Sequence, residues 1–136
     1  MKKTLILLSF SIFISCQQEV IKKTDQSLYV SENSRYVTDS EGNPFLYLGD
    51  TAWELFHKLN REEATEYLQN RADKGFTVIQ AVVLAENNGL RTPNSYGEVP
   101  FVDLDPTKPN EKYFEHVDFI VNKANELGMF IGMLPT

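Results

Sequence analysis

An alternation running through residues 45–134 limits this chain to very few folds. Continuous apolar runs of strand length alternate with helical stretches, and each helical stretch ends in one glycine before the next apolar run. The runs are FLYLG at 45–49, FTVIQAVVLA at 76–85 and MFIGML at 129–134. Between them, residues 61–74 carry Ala64, Tyr67, Leu68, Arg71 and Ala72 at spacings of three and four. Residues 111–127 do the same with Tyr113, Val117, Ile120, Val121, Ala124 and Leu127. That spacing is the helical period. Asn60 with Glu63 predicts a capping box, Asn110 predicts the second cap, and Gly75 and Gly128 predict left-handed helix ends. Strands that are apolar on both faces belong to a parallel sheet, whose crossover connections are helices.

The junctions narrow the architecture. Helix-to-strand turns are a single glycine, whereas strand-to-helix connections are long, with residues 87–110 forming the longest. An open doubly wound sheet and a closed eight-stranded barrel both place helices against parallel strands. The segment LGDTAWE after the first strand lacks the GxGxxG spacing that lets a backbone approach a pyrophosphate, which lowers the nucleotide-binding reading. In barrels the long strand-to-helix loops line the functional mouth and the return turns are structural. The expected fold class is therefore α/β: the N-terminal part of a (β/α)8 barrel, about three strands and two main helices. Residues 28–42, with LYV and RYVTD separated by SENS and followed by SEGN, predict a short β hairpin before it.

Composition and charge exclude several functions. A hydrophobic content of 42% and a charged content of 24% are those of a globular domain, not of a disordered tail or a multi-span membrane protein. The net charge of −6 argues against nucleic acid as a partner, because phosphate binding needs a basic face. A single cysteine rules out an internal disulfide. There is no CxxC pair, no GxSxG elbow and no second ligand at metal spacing from His57 or His116, so neither a metal nor another cofactor is expected.

The N-terminus reads as an export signal. Lys2 and Lys3 precede an apolar segment, LILLSFSIFIS at 5–15, that is too short to span a bilayer. Cys16 follows directly. The pattern resembles a bacterial lipoprotein signal, with Phe13 where such signals usually carry leucine, and a plain secretory signal is the alternative. The expected organisation is a lipoprotein signal peptide at 1–16 with Cys16 lipidated, a polar tether at 17–27 and a folded domain at 28–136. A membrane is then met only through the lipid anchor, and the protein resides in the cell envelope, periplasmic or on the outer membrane or cell surface.

Four residues are candidates for contact with a ligand at the mouth. Asp50 ends the first strand; it either faces the mouth or favours the positive end of a following helix. Glu54 closes a Thr51–Glu54 capping box. Trp53, the only tryptophan, either stacks on a sugar face or plugs an apolar gap. Glu86 ends the second strand, where strict alternation puts Gln80, Val82, Leu84 and Glu86 on one face. If Asp50 and Glu86 both face the mouth, their proximity would raise the pKa of at least one. Tyr96, with Arg91 and Asn94 in the long loop, suits hydrogen bonding and stacking against a polyol. His57 and His116 read as structural or surface residues.

The segments LGDTAWELFH, RADKGFTVIQAV and YFEHVDFI, in register over residues 28–136, resemble the apiosidase-like glycoside hydrolases. The resemblance implies a (β/α)8 catalytic barrel and secreted or lipid-anchored bacterial proteins that trim plant pectic polysaccharide. The substrate it implies is apiose-bearing rhamnogalacturonan II. Such enzymes use a carboxylate pair, expected here around the fourth and seventh strands. This chain carries three strands, so the expectation is a truncated catalytic domain with no catalytic residue of its own. Asp50, Trp53, Glu86 and Tyr96 then contribute substrate contacts only. A non-enzymatic glycan-binding lipoprotein and a non-functional truncated gene product remain alternatives.

Overall fold

A computed structural model describes residues 27–135. The expected signal peptide, Cys16 and all but the last residue of the expected tether lie outside the described residues. The predicted hairpin is formed by β1 (Tyr29–Val30) and β2 (Val37–Thr38), antiparallel, with Tyr29 opposite Thr38. Its turn is closed by side chains: Ser31 Oγ donates to Asn33 Oδ1 at 2.9 Å and accepts from the amide of Tyr36. The next turn uses Asp39, whose Oδ1 accepts from the amides of Glu41 and Asn43, both at 2.9 Å.

The main sheet has three parallel strands in the order β3 (Gly49–Thr51), β4 (Val78–Val82), β5 (Phe130–Leu134). Gly49 pairs with Val78, and Val78 with Phe130. Two crossovers join them. The first holds the short helix α1 (Leu55–Lys58) and then α2 (Arg61–Asp73); the second holds α3 (Glu111–Glu126). Chain order and strand direction are those read from the sequence.

The first strand begins later than its apolar run suggests. Residues 45–48 join no strand: Leu48 N turns back to Leu46 O at 3.1 Å, and Thr77 binds the same stretch of backbone. Thr77 Oγ1 donates to Leu46 O at 2.6 Å and accepts from Leu48 N at 2.9 Å. Leu46 and Tyr47 stay exposed in consequence. β4 is likewise shorter than its apolar run. It stops at Val82, after which the amides of Val83 and Leu84 donate to Leu134 O and Pro135 O.

The helices follow their sequence signals closely. Asn60 Oδ1 accepts from Glu63 N at 2.9 Å while Glu63 Oε2 accepts from Asn60 N at 3.0 Å, the reciprocal capping box. Gly75 and Gly128 have φ of +80° and +76°, so both helices end in the left-handed conformation that glycine adopts without steric cost. Asn110 caps α3 through Lys112 N.

Strand alternation divides the sheet into two faces. Ile79 and Ala81 pack into the core with Leu55 and Phe56 of α1, Ala64 and Leu68 of α2, and Tyr113, Val117, Ile120 and Ala124 of α3. Val78, Gln80 and Val82 point the other way. On that second face Gln80 Nε2 lies 3.4 Å from Tyr47 Oη, and a Cβ on Gly132 would sit 3.4 Å from Gln80 Cγ. The mid-strand glutamine thus finds a polar partner on the face opposite the helices. No helix among the described residues is long and apolar enough to cross a membrane.

Candidate functional site

The segments leaving the carboxyl ends of the parallel strands gather on one edge of the sheet. After β3 the chain runs through Trp53 and Glu54 into α1, and Trp53 O accepts from Val82 N at 3.3 Å beside the end of β4. After β4 it runs through Glu86 and Asn87 into the long loop. Glu54 Oε1 accepts from Asn87 Nδ2 at 2.9 Å and joins the two segments. Glu54 Oε2 lies 3.1 Å from His57 Nδ1, and His57 Nε2 lies 3.0 Å from Thr92 O and 3.1 Å from Pro93 O. Tyr113 rises from α3 beneath this cluster and donates its hydroxyl to Val83 O at 2.6 Å. Burial, with a smaller contribution from the charge of Glu54, pushes the Tyr113 hydroxyl up to about 12.

The four sequence candidates do not converge. Asp50 pairs in register with Ile79, so its side chain lies on the helix face of the sheet. There it accepts from the Tyr67 hydroxyl at 2.8 Å and from Arg71 Nε. Arg71 in turn lies over the Tyr67 ring, 4.8 Å from its centroid. The Tyr67 bond, then Arg71 and the Thr51 amide, hold the Asp50 carboxyl below the usual carboxylate range against the opposing effect of burial. Burial and the Asp50 bond push Tyr67 up to about 12. Asp50 and Glu86 therefore do not share a cavity, and the Asp50 carboxyl is shifted down, not up. The physical reason is the pleat: only Gly49 and Thr51 of β3 can face the side of Gln80.

Glu86 is exposed, in a turn four residues beyond the end of β4. Alternation does not carry past Val82, so Glu86 does not continue the Gln80–Val82 face. Trp53 is 39% exposed and flanks the Glu54–Asn87 bond. Tyr96 lies further along, at the start of α2: its hydroxyl accepts from Arg61 N at 2.9 Å and its ring packs edge-on against His116 at 4.9 Å. Arg61 also lies over the ring of Phe119, 4.9 Å from its centroid. Of the four, Trp53 and Glu86 flank the joined segments after β3 and β4, Tyr96 borders them, and Asp50 is on the far side of the sheet.

The Thr51–Glu54 capping box does not form. Thr51 is a strand residue, and Glu54, at the N-cap position of α1, makes no side-chain capping bond. Its carboxylate is engaged with His57 and Asn87 instead. This cluster escaped the sequence reading, although the three-residue spacing of Glu54 and His57 put them on one helical turn. His57 is indeed buried, as a structural histidine would be, but it reaches across to the loop. His116 is buried too: Nε2 lies 3.0 Å from Leu59 O, and burial pushes its pKa down. Its Nδ1 and the Nδ2 of buried Asn94 have no hydrogen-bond partner among the described residues. No group of three or more His, Cys, Asp or Glu side chains suited to a metal ion occurs among the described residues.

Known proteins give this geometry its context. Residues 31–136 match the family described as apiosidase-like, catalytic domain. A solved structure named glycoside hydrolase superposes with a TM-score of 0.70 at 36% identity, covering 81% of this chain and 25% of its own. A glycoside hydrolase family 5 protein from Bacteroides vulgatus gives a TM-score of 0.68 at 34% identity, covering 83% of this chain and 25% of its own. The chain thus spans about a quarter of the length of the solved structures it matches. None of the curated proteins matches it. The parallel strand–helix order, with short return turns and long mouth loops, is that of the first three strands of a (β/α)8 barrel. The chain belongs to the apiosidase-like catalytic domain family.

Proposed function

We propose that this chain supplies one wall of the carbohydrate cleft of a bacterial glycoside hydrolase that acts on plant cell-wall polysaccharide and releases apiose from pectic rhamnogalacturonan II. The match to the apiosidase-like catalytic domain over residues 31–136 carries this reading. The layout supports it, because barrel enzymes build their sites from the loops at the carboxyl ends of the strands. Trp53, Glu86 and Tyr96 would meet the sugar from the loops after β3 and β4, while Asp50 would act at a distance, by fixing β3 against α2.

In this reading residues 1–136 do not hydrolyse glycosides by themselves. Hydrolysis needs an acid and a second carboxylate flanking the scissile bond. Asp50 is committed to Tyr67 and Arg71, and Glu54 to His57 and Asn87. That commitment also favours the second reading, a glycan-binding lipoprotein without catalysis. Cys16 is proposed as the lipidated residue that holds the protein in the cell envelope. A diacylglyceryl-modified N-terminal cysteine in the mass spectrum of membrane-extracted protein supports the anchor, and an unmodified soluble N-terminus removes it.

The test of function is incubation of rhamnogalacturonan II with the protein isolated from its host and, in parallel, with residues 1–136 alone, followed by chromatography of released sugars. Apiose above a buffer control from the host protein, with none from residues 1–136 alone, supports the hydrolase. Binding to the glycan without sugar release supports the binding protein, and neither removes both readings.

A further inference from the structure

The loop after β4 is fastened to the turn after β3 by a cluster around buried His57. Glu54 reaches Asn87 at the start of the loop, and His57 reaches the carbonyls of Thr92 and Pro93 further along. Ser95 N donates to His57 O at 3.1 Å and Ser95 Oγ donates to Leu59 O at 3.0 Å, on the same side. Both ring nitrogens of His57 therefore face acceptors: a carboxylate oxygen at Nδ1 and two carbonyl oxygens at Nε2.

A neutral imidazole has one N–H and one lone pair. With the proton on Nε2, the lone pair of Nδ1 meets the Glu54 carboxylate. With the proton on Nδ1, the lone pair of Nε2 meets two carbonyls. All three contacts are satisfied only when Nε2 carries a proton and a second proton lies between Nδ1 and Oε2. His57 is 6% and Glu54 17% exposed, so water compensates little for a mismatch. The groups facing the pair are Asn87 and the Thr92 and Pro93 carbonyls from the loop, and Tyr113 from α3, which senses the Glu54 charge.

We propose that Glu54 and His57 are positioning residues, a clasp that sets the loop of residues 87–96, and with it Tyr96, at the mouth of the sheet. The inference rests on the carbohydrate reading only in taking that loop to face substrate. Without a proton between Nδ1 and Oε2 a lone pair meets an acceptor, and the loop loses that bond. Glu54→Gln isolates the effect. Its carboxamide oxygen still accepts from Asn87, and its N–H donates to the bare Nδ1 of a neutral ring, so the clasp closes without the second proton.

The experiment is amide hydrogen exchange of the full chain, expressed as protection factors, on the wild type, Glu54→Leu and Glu54→Gln at one pH. In Glu54→Leu, protection of Thr92, Asn94 and Ser95 should fall on the order of tenfold, the effect of losing one charge-assisted bond. Amides of α2 and α3 should stay level. In Glu54→Gln, which keeps both contacts, the loop should be protected as in the wild type. A Glu54→Leu loop as well protected as the wild type, or a Glu54→Gln loop no better protected than Glu54→Leu, overturns the clasp. His57→Phe should leave the loop poorly protected throughout; protection equal to wild type overturns it too. No sugar enters the measurement, so its failure and that of the glycosidase reading are separate results.

Discussion

Replacing Tyr113 with phenylalanine removes a single oxygen from beneath the mouth. Tyr113 is 1% exposed, and its hydroxyl donates to Val83 O at 2.6 Å, just past the last residue of β4. The ring stays, with its edge-on contact to Phe114 at 5.4 Å, so almost no packing volume is lost. What remains is a carbonyl without its donor where the strand turns into the long loop. Such a group costs about 1–3 kcal/mol, and release of the buried hydroxyl from desolvation offsets part of it. A net loss of about 1 kcal/mol is expected, equivalent to roughly 4–8 °C in Tm for a domain near this size. Tyr113→Ala should cost about 3–5 kcal/mol, because it opens a cavity between α3 and the sheet. Thermal unfolding followed by near-ultraviolet circular dichroism separates the two. A Tyr113→Phe protein as stable as the wild type would refute the claim that this hydroxyl fastens α3 to the end of β4.

Two further perturbations test local parts of the account. Asn60→Ala breaks the capping box at the start of α2 and should cost about 1 kcal/mol in urea unfolding; a change below a few tenths would mean that the cap is redundant. Asp50 has its carboxyl held below the 3.8 of the unfolded chain, so its stabilisation is complete above that value and drains away as pH falls through the lower folded value. Asp50→Asn should therefore lose stability at neutral pH and show a shallower loss on acidification, read from Tm against pH; an unchanged acid limb would show that other carboxylates dominate it.

Much of the fold was legible because its signals are local. Asn60 and Glu63 are three residues apart, Gly75 and Gly128 stand where the helical period ends, and the apolar spacing of Tyr113, Val117, Ile120 and Ala124 marks the buried face of α3. Strand limits were less legible because they depend on distant partners. Thr77, some thirty residues away, captures the backbone of Leu46 and Leu48 and delays β3. The site was the least legible part. The side of the sheet that Asp50 faces follows from its register with Ile79, and the partners that hold it, Tyr67 and Arg71, are a full helix away. Glu54 and His57 were not read as a pair, and their role depends on Asn87, Thr92 and Pro93, which only the folded loop brings to them.

The central claim is that carbohydrate is met at the carboxyl ends of the parallel strands, from the loops after β3 and β4. The most direct measurement is nuclear magnetic resonance of the isotopically labelled chain titrated with oligosaccharides prepared from rhamnogalacturonan II. The account predicts saturable shifts of the Trp53 indole and of the amides around Glu86, Asn87 and Tyr96, with the β1–β2 hairpin and the outer surface of α2 unmoved. Shifts confined to the hairpin or to the helices, or no saturable shift with any of these glycans, would contradict it.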